Sequence, residues 1–324
     1  MKQIRTFFLE FMIFMSVACS STESSIVFTS NRDGNWEIYT MDSNGENQEN
    51  ASKSLDDEVS PKLSPNKKLI SFLSGFGLAK QIEIMDFEKN TRVRLDLDEG
   101  THGSHYWSPT SDGLVYVESK KGIHHLFTVN VDGTESLQLT SIPASDLGTW
   151  SSDGNAVVFS VTDGPLQGIW TRNPRGVNEV RLSETPDYSP VWSPDSKRIA
   201  FISSRDGNPE IYVMKSDGSE QKRITRTNAG ESQISWSPNG RQILFISERD
   251  GNPEVYTTNL DGTSQIRLTF NDVIDESPVW SPGGRQIAFV SFLDGDSEIF
   301  VMNTNGEDQV RLTSNNSEDL SPSW

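Results

Sequence analysis

Seven aromatic residues recur at a nearly constant interval along this 324-residue chain, and that period restricts the fold more than any other feature. Phe28, Phe72, Tyr116, Phe159, Phe201, Phe245 and Phe289 are separated by 44, 44, 43, 42, 44 and 44 residues. Tryptophan keeps the same spacing at positions 107, 150, 192, 236, 280 and 324, with Leu63 in the matching place of the earlier copy. A self-similar unit of this length cannot bury its apolar face alone, so copies must stack into one repeat architecture.

The copy that starts at Ser189 shows what one unit contains. Pro190–Ser193 reads as a short strand stopped by Pro194-Asp195, and Arg198–Ser203 as a β-branched, alternating strand. Glu210–Met214 alternates again, and Gln221–Thr225 follows Asp217-Gly218 as a fourth strand. Equivalent dipeptides stand at Asn44-Gly45, Asp132-Gly133, Asp261-Gly262 and Asn305-Gly306, where a tight hairpin requires positive φ. Four-stranded meanders repeated every 43 or so residues predict an all-β, seven-bladed propeller of antiparallel blades. The copy around Phe28 lacks its own first strand, while Ser321–Trp324 is a first strand without a blade. Pairing the C-terminal strand beside Ile26–Phe28 would complete blade one and close the ring, removing the open edge.

The copies share W-S-P-[DNG]-x-[KR]-x-I-x-F followed by R-D-G-N-P-E-[IV]-Y, most clearly from Ser189 onward. In these motifs residues 25–324 resemble the TolB-like propeller repeat. The resemblance implies a stand-alone propeller lacking the amino-terminal α/β domain of TolB, with seven blades where TolB has six, and suggests a cell-envelope setting. The same repeat family includes propellers of prolyl-oligopeptidase-type enzymes and oligogalacturonate lyases, so the fold leaves the chemistry open.

Residues 1–18 place Lys2 and Arg5 before an apolar run and small residues, the order of a secretory signal. The single cysteine, Cys19, follows directly, and the segment resembles a bacterial lipoprotein signal in which Cys19 would be lipidated. Residues 19–24 then form a tether. This arrangement predicts export to the periplasm or cell surface, with membrane contact only through a lipid anchor at Cys19. One cysteine excludes a disulfide framework. A formal charge of −18 argues against a nucleic-acid partner, because that affinity rests on Lys and Arg.

Five residues before each tryptophan-type marker stand Glu58, His102, Ser145, Asp187, Glu231, Asp275 and Asp319. If the first strands surround the axis, Glu58, His102, Asp187, Glu231, Asp275 and Asp319 form a binding ring at the channel mouth, suited to a cation or a basic segment of a partner. Arg32-Asp33-Gly34, Arg205-Asp206-Gly207 and Arg249-Asp250-Gly251, with Glu37, Glu210 and Glu254 shortly after, read as ion pairs and turn formers. All four histidines, His102, His105, His124 and His125, fall in one copy, as expected of local divergence; no metal and no cofactor are assigned. Gly-x-Ser-x-Gly is absent and no nucleophile sits in a recognisable setting, so no catalytic residue is expected. The leading expectation is a scaffold that binds an envelope protein or peptide through its acidic loop face. A polysaccharide-acting enzyme of the lyase kind, using the channel mouth and a divalent metal, is the alternative.

Overall fold

A computed structural model describes residues 25–324, apart from 78–79, 88, 90, 96, 98–100 and 294. The signal segment, Cys19 and the tether lie outside the described residues. All described regular structure is β: seven four-stranded antiparallel sheets, the expected seven-bladed propeller. Blade one takes its innermost strand from the far end of the chain, ordered Asp319–Ser323, Ser25–Ser30, Glu37–Asp42, Glu49–Asn50. Val27 lies opposite Ser323 and Ser30 opposite Asp319, so the C-terminal strand closes the ring as expected.

Strand limits differ from the sequence reading in an informative way. In blade five the first strand is Tyr188–Trp192, earlier than Pro190–Ser193, and the fourth is only Lys222–Arg223. The fourth strand lies on the outer rim, where a short edge offers little for other chains to pair with. The first strand starts early because it carries a bulge. All seven first strands shift register against their second strands, as between Val59 and Lys62 or Glu276 and Val279. Ser60, Ser189, Gln233, Ser277 and Ser321 sit inside these bulges with φ of 57°, 48°, 50°, 52° and 54°. The recurring Ser-Pro pair is therefore a left-handed bulge on the innermost strand.

The core lies between blades. Phe201 and Tyr212 of blade five pack with Val158 and Ile169 of blade four, and Phe245 and Tyr256 of blade six pack with Ala200 and Ile211 of blade five. Each phase aromatic is at most 1% exposed. Five of these aromatics face a third-strand aromatic at 5.6–5.7 Å and Phe159 faces Trp170 at 6.5 Å, a cross-strand pair that adds to simple burial. Burying one such side chain contributes roughly 2–3 kcal/mol, which explains why this position keeps its period when others drift. Tryptophans tie neighbouring blades: the Trp107 indole N–H donates to the Lys62 carbonyl at 2.8 Å and Trp236 to Val191 at 3.1 Å. First strands of successive blades touch, so they encircle the axis.

Candidate functional site

The bulge decides which side chains reach the axis. In the strand Glu231–Trp236, Glu231 and Ile234 are buried while Ser232 and Gln233 between them are exposed. Glu58, Asp275 and Asp319 follow the same pattern, each buried at the start of its strand. The extra residue turns the two middle positions toward the axis and the carboxylate into the blade. The expectation that Glu58, His102, Asp187, Glu231, Asp275 and Asp319 present a binding ring at the channel mouth is corrected as to exposure: all six are 5% exposed or less.

A repeated arginine clamp covers these carboxylates. Arg249 donates through Nε to Ser247 Oγ at 2.8 Å, through Nη1 to Gln265 at 2.6 Å and through Nη2 to Glu231 at 2.8 Å. Its guanidinium lies 4.6 Å from the centre of the Tyr256 ring. Arg205 repeats the set on Ser203, Gln221, Asp187 and Tyr212, and Arg32 on Ser30, Gln48, Asp319 and Tyr39. In blade two Arg92, from the fourth strand, pairs with both Glu58 and Glu83. The arginines of the Arg-Asp-Gly turns thus make the expected ion pairs, but with the ring carboxylates. Glu210, Glu254 and Glu298 instead pair with Arg223, Arg267 and Arg311 of the fourth strands at 2.6–2.7 Å. Burial raises the pKa of Glu58, Glu231 and Asp275 despite these contacts.

Three blades depart from this plan. In blade seven Leu293 occupies the arginine position, and Asp275 is held by the Asn271 side-chain N–H at 2.7 Å. Blade four has Ser145 at the ring position. In blade three His102 lies opposite Glu118, which pairs with Lys120 at 2.7 Å. The histidines do not converge on a metal site: His102 Nδ1 is 3.2 Å from the Lys80 carbonyl, His105 is buried, His124 is exposed, and His125 Nδ1 is 3.1 Å from the Thr140 carbonyl. Among the described residues no group of three or more His, Cys, Asp or Glu side chains could hold a metal ion.

What the period conceals is the surface of the end of the ring formed by the second-to-third-strand loops and the connections between blades. Of thirteen large exposed apolar side chains among the described residues, seven are here: Leu55, Phe76, Ile123, Leu166, Phe270, Ile274 and Leu293. Of the other six described ones, Val177 is on a turn at the opposite end and the rest edge the outermost strands. Exposed Asp33, Asp163, Glu184, Asp206, Glu248, Asp250 and Asp272 lie on the same end, against exposed Lys53, Lys120, Lys121, Arg205 and Arg226. Sequence reasoning missed the apolar set because no one phase of the repeat is apolar in most copies: Phe76 and Leu293 share one phase and Ile123 and Leu166 another, while other copies carry Arg32, Arg205 and Arg249 at the first of these.

A family model described as the TolB beta propeller domain matches residues 12–187 and 166–278. The chain belongs to this family. A protein named TolB homolog from Chlorobium luteolum is 29% identical over 191 residues, 59% of this chain and 34% of that protein. The chain spans 11%, 34% and 59% of the lengths of three curated relatives, less than two thirds of each. Among solved structures, TolB from Acinetobacter baumannii superposes with a TM-score of 0.65 at 19% identity, covering 93% of this chain and 66% of that one. An oligogalacturonate lyase in complex with manganese superposes with a TM-score of 0.73 at 17% identity, covering 87% and 86%. At these identities the likeness is one of fold.

Proposed function

We propose that this propeller is exported, lipid-anchored at Cys19 in the cell envelope, and binds an envelope protein or peptide through its loop face. The observation that carries the reading is the concentration of Leu55, Phe76, Phe270 and their four apolar neighbours on one end of the ring, within an acidic surround. Apolar groups gathered on a polar surface mark an interaction site. The buried ring carboxylates act beneath this face, fixing through their arginines the turns that carry it. Membership of the TolB family, whose relatives include one named Tol-Pal system protein TolB, supports the envelope setting. The lyase alternative has no comparable support, because His102 and His105 are turned into blade three.

The test is envelope cross-linking with the wild type and with Leu55, Phe76 and Phe270 all replaced by Ser. A cross-linked partner lost in this variant and retained in Val177→Ser supports the face. Equal capture by all three proteins refutes it. Metabolic palmitate labelling that persists in Cys19→Ser refutes the anchor.

A further inference from the structure

At the other end of the ring, the ends of the first strands of blades one to four border a solvent-open cavity of about 460 Å³. Lys62, Lys67, Tyr106, Trp107, Trp150 and Trp324 form much of its wall. The cavity is unusual in its charge. This chain has 46 Asp and Glu against 28 Lys and Arg, and the guanidinium groups of Arg32, Arg205, Arg249 and Arg267 are paired with carboxylates, while Arg181 is held by the Gln167 and Ser183 carbonyls. Lys62 and Lys67 are half-buried too, yet neither makes an ion pair with a described residue, and no Asp or Glu lines the cavity. Burial lowers the pKa of both lysines with no carboxylate to offset it. Holding two ammonium groups in such a place is costly without a counter-charge.

The remaining polar groups of the wall also face the wrong way for a cation. Ser323 Oγ accepts the Leu63 backbone N–H at 3.1 Å, and Thr149 Oγ1 accepts that of Trp192 at 3.0 Å, leaving each hydroxyl hydrogen free to donate. Lys62 Nζ lies 5.6 Å from the centre of the Tyr106 ring, so charge and aromatic surface are adjacent. The wall thus supplies two cations, the Ser323 and Thr149 hydroxyls and flat apolar faces, within the roughly 300–1,000 Å³ of ligand pockets.

We propose that this cavity binds an organic carboxylate, its anion held by Lys62 and Lys67 and its apolar or aromatic body laid against Tyr106, Trp150 and Trp324. Charge-assisted donation from two lysines orients the carboxylate, and the rings supply the buried area. Such a group is offered by a free aryl acid or by a peptide ending in an aromatic residue. The site is separate from the loop face and does not depend on it.

Calorimetry and tryptophan fluorescence with 3-phenylpropionate, and with acetyl-Gly-Phe as free acid and as amide, test this. Saturable binding of either acid, at least tenfold weaker for the phenylpropyl alcohol and for the peptide amide, is expected. Binding of both acids identifies a free-acid site; binding of the peptide alone identifies a peptide C-terminus. Lys62→Met with Lys67→Met lowers affinity at least tenfold, while Lys197→Met, an exposed lysine on the same turn of blade five, leaves it unchanged. Equal affinity for acid and uncharged analogue, no saturable binding of either acid, or an equal effect of Lys197→Met overturns the proposal. The Leu55, Phe76 and Phe270 variant binds the acids normally, so failure here is distinguishable from failure of the loop-face reading.

Discussion

Replacing Arg249 by Met leaves Glu231, 2% exposed, as a buried carboxylate without its cation. Breaking a buried ion pair from one side costs about 3–5 kcal/mol, and the arginine also stacks on Tyr256 for about 0.5–1 kcal/mol more. Thr227 Oγ1 still donates to Glu231 at 2.9 Å, and methionine retains some contact with the ring, so the expected loss is about 3 kcal/mol. Replacing both partners, Glu231→Leu with Arg249→Met, removes the stranded charge and should return to within about 1 kcal/mol of the wild type. Urea unfolding gives both values if the slope is unchanged. The sign with pH is fixed as well. Burial already raises the Glu231 pKa, and loss of Arg249 raises it further, so the single variant's deficit is complete above the folded pKa and shrinks as pH falls through it. A loss below about 1 kcal/mol, the size of an exposed pair, or a double variant as unstable as the single one, would refute the clamp.

Deleting Asp319–Trp324 strips blade one of its inner strand and Arg32 of its carboxylate; a lower thermal midpoint and early proteolysis near Ser25–Asp42 are expected, and an unchanged midpoint argues against closure. Gly262 and Gly34 both have positive φ, 77° and 103°, but a Cβ on Gly262 would lie 2.4 Å from the Ile224 carbonyl of the preceding blade, while one on Gly34 meets nothing within 4 Å. Gly34→Ala therefore costs about 1–2 kcal/mol of backbone strain, and Gly262→Ala clearly more in the same melt. Burial, with Lys62 nearby, lowers the His105 pKa from 6.5 to about 4, so the unfolded chain takes up a proton first and stability falls as pH drops through that window, by about 3 kcal/mol in all. His105→Gln should flatten that difference, read as unfolding free energy at several pH values.

The architecture was legible because one position per copy is fully enclosed between blades and tolerates only Phe or Tyr. The closing strand was legible as the unmatched Ser321–Trp324. The direction of the ring carboxylates was not. Their spacing is visible, but whether Glu231 faces the axis or the blade depends on Gln233 adopting positive φ, and neither Gln nor Ser announces that conformation. The partner of Arg249 was hidden for the same reason: Glu254 is nearer in sequence, yet the third strand turns it toward Arg267. The loop-face hydrophobics recur in at most two copies at any one phase, and the Lys62–Lys67 pair in one, so a search for period averages them away.

Blade one also sets an order of events. Six blades are built from consecutive segments, through contacts close in sequence. Blade one alone holds Ser25–Ser30 from the start of the described chain and must wait for Asp319–Ser323 before its inner edge is covered. Until then the strand Ser25–Ser30 presents free backbone groups to any neighbouring chain. Closure by Asp319–Ser323, with Arg32 on Asp319, needs both ends of the described chain at once, so any state in which they are apart leaves the Ser25–Ser30 edge open to mispairing with another copy.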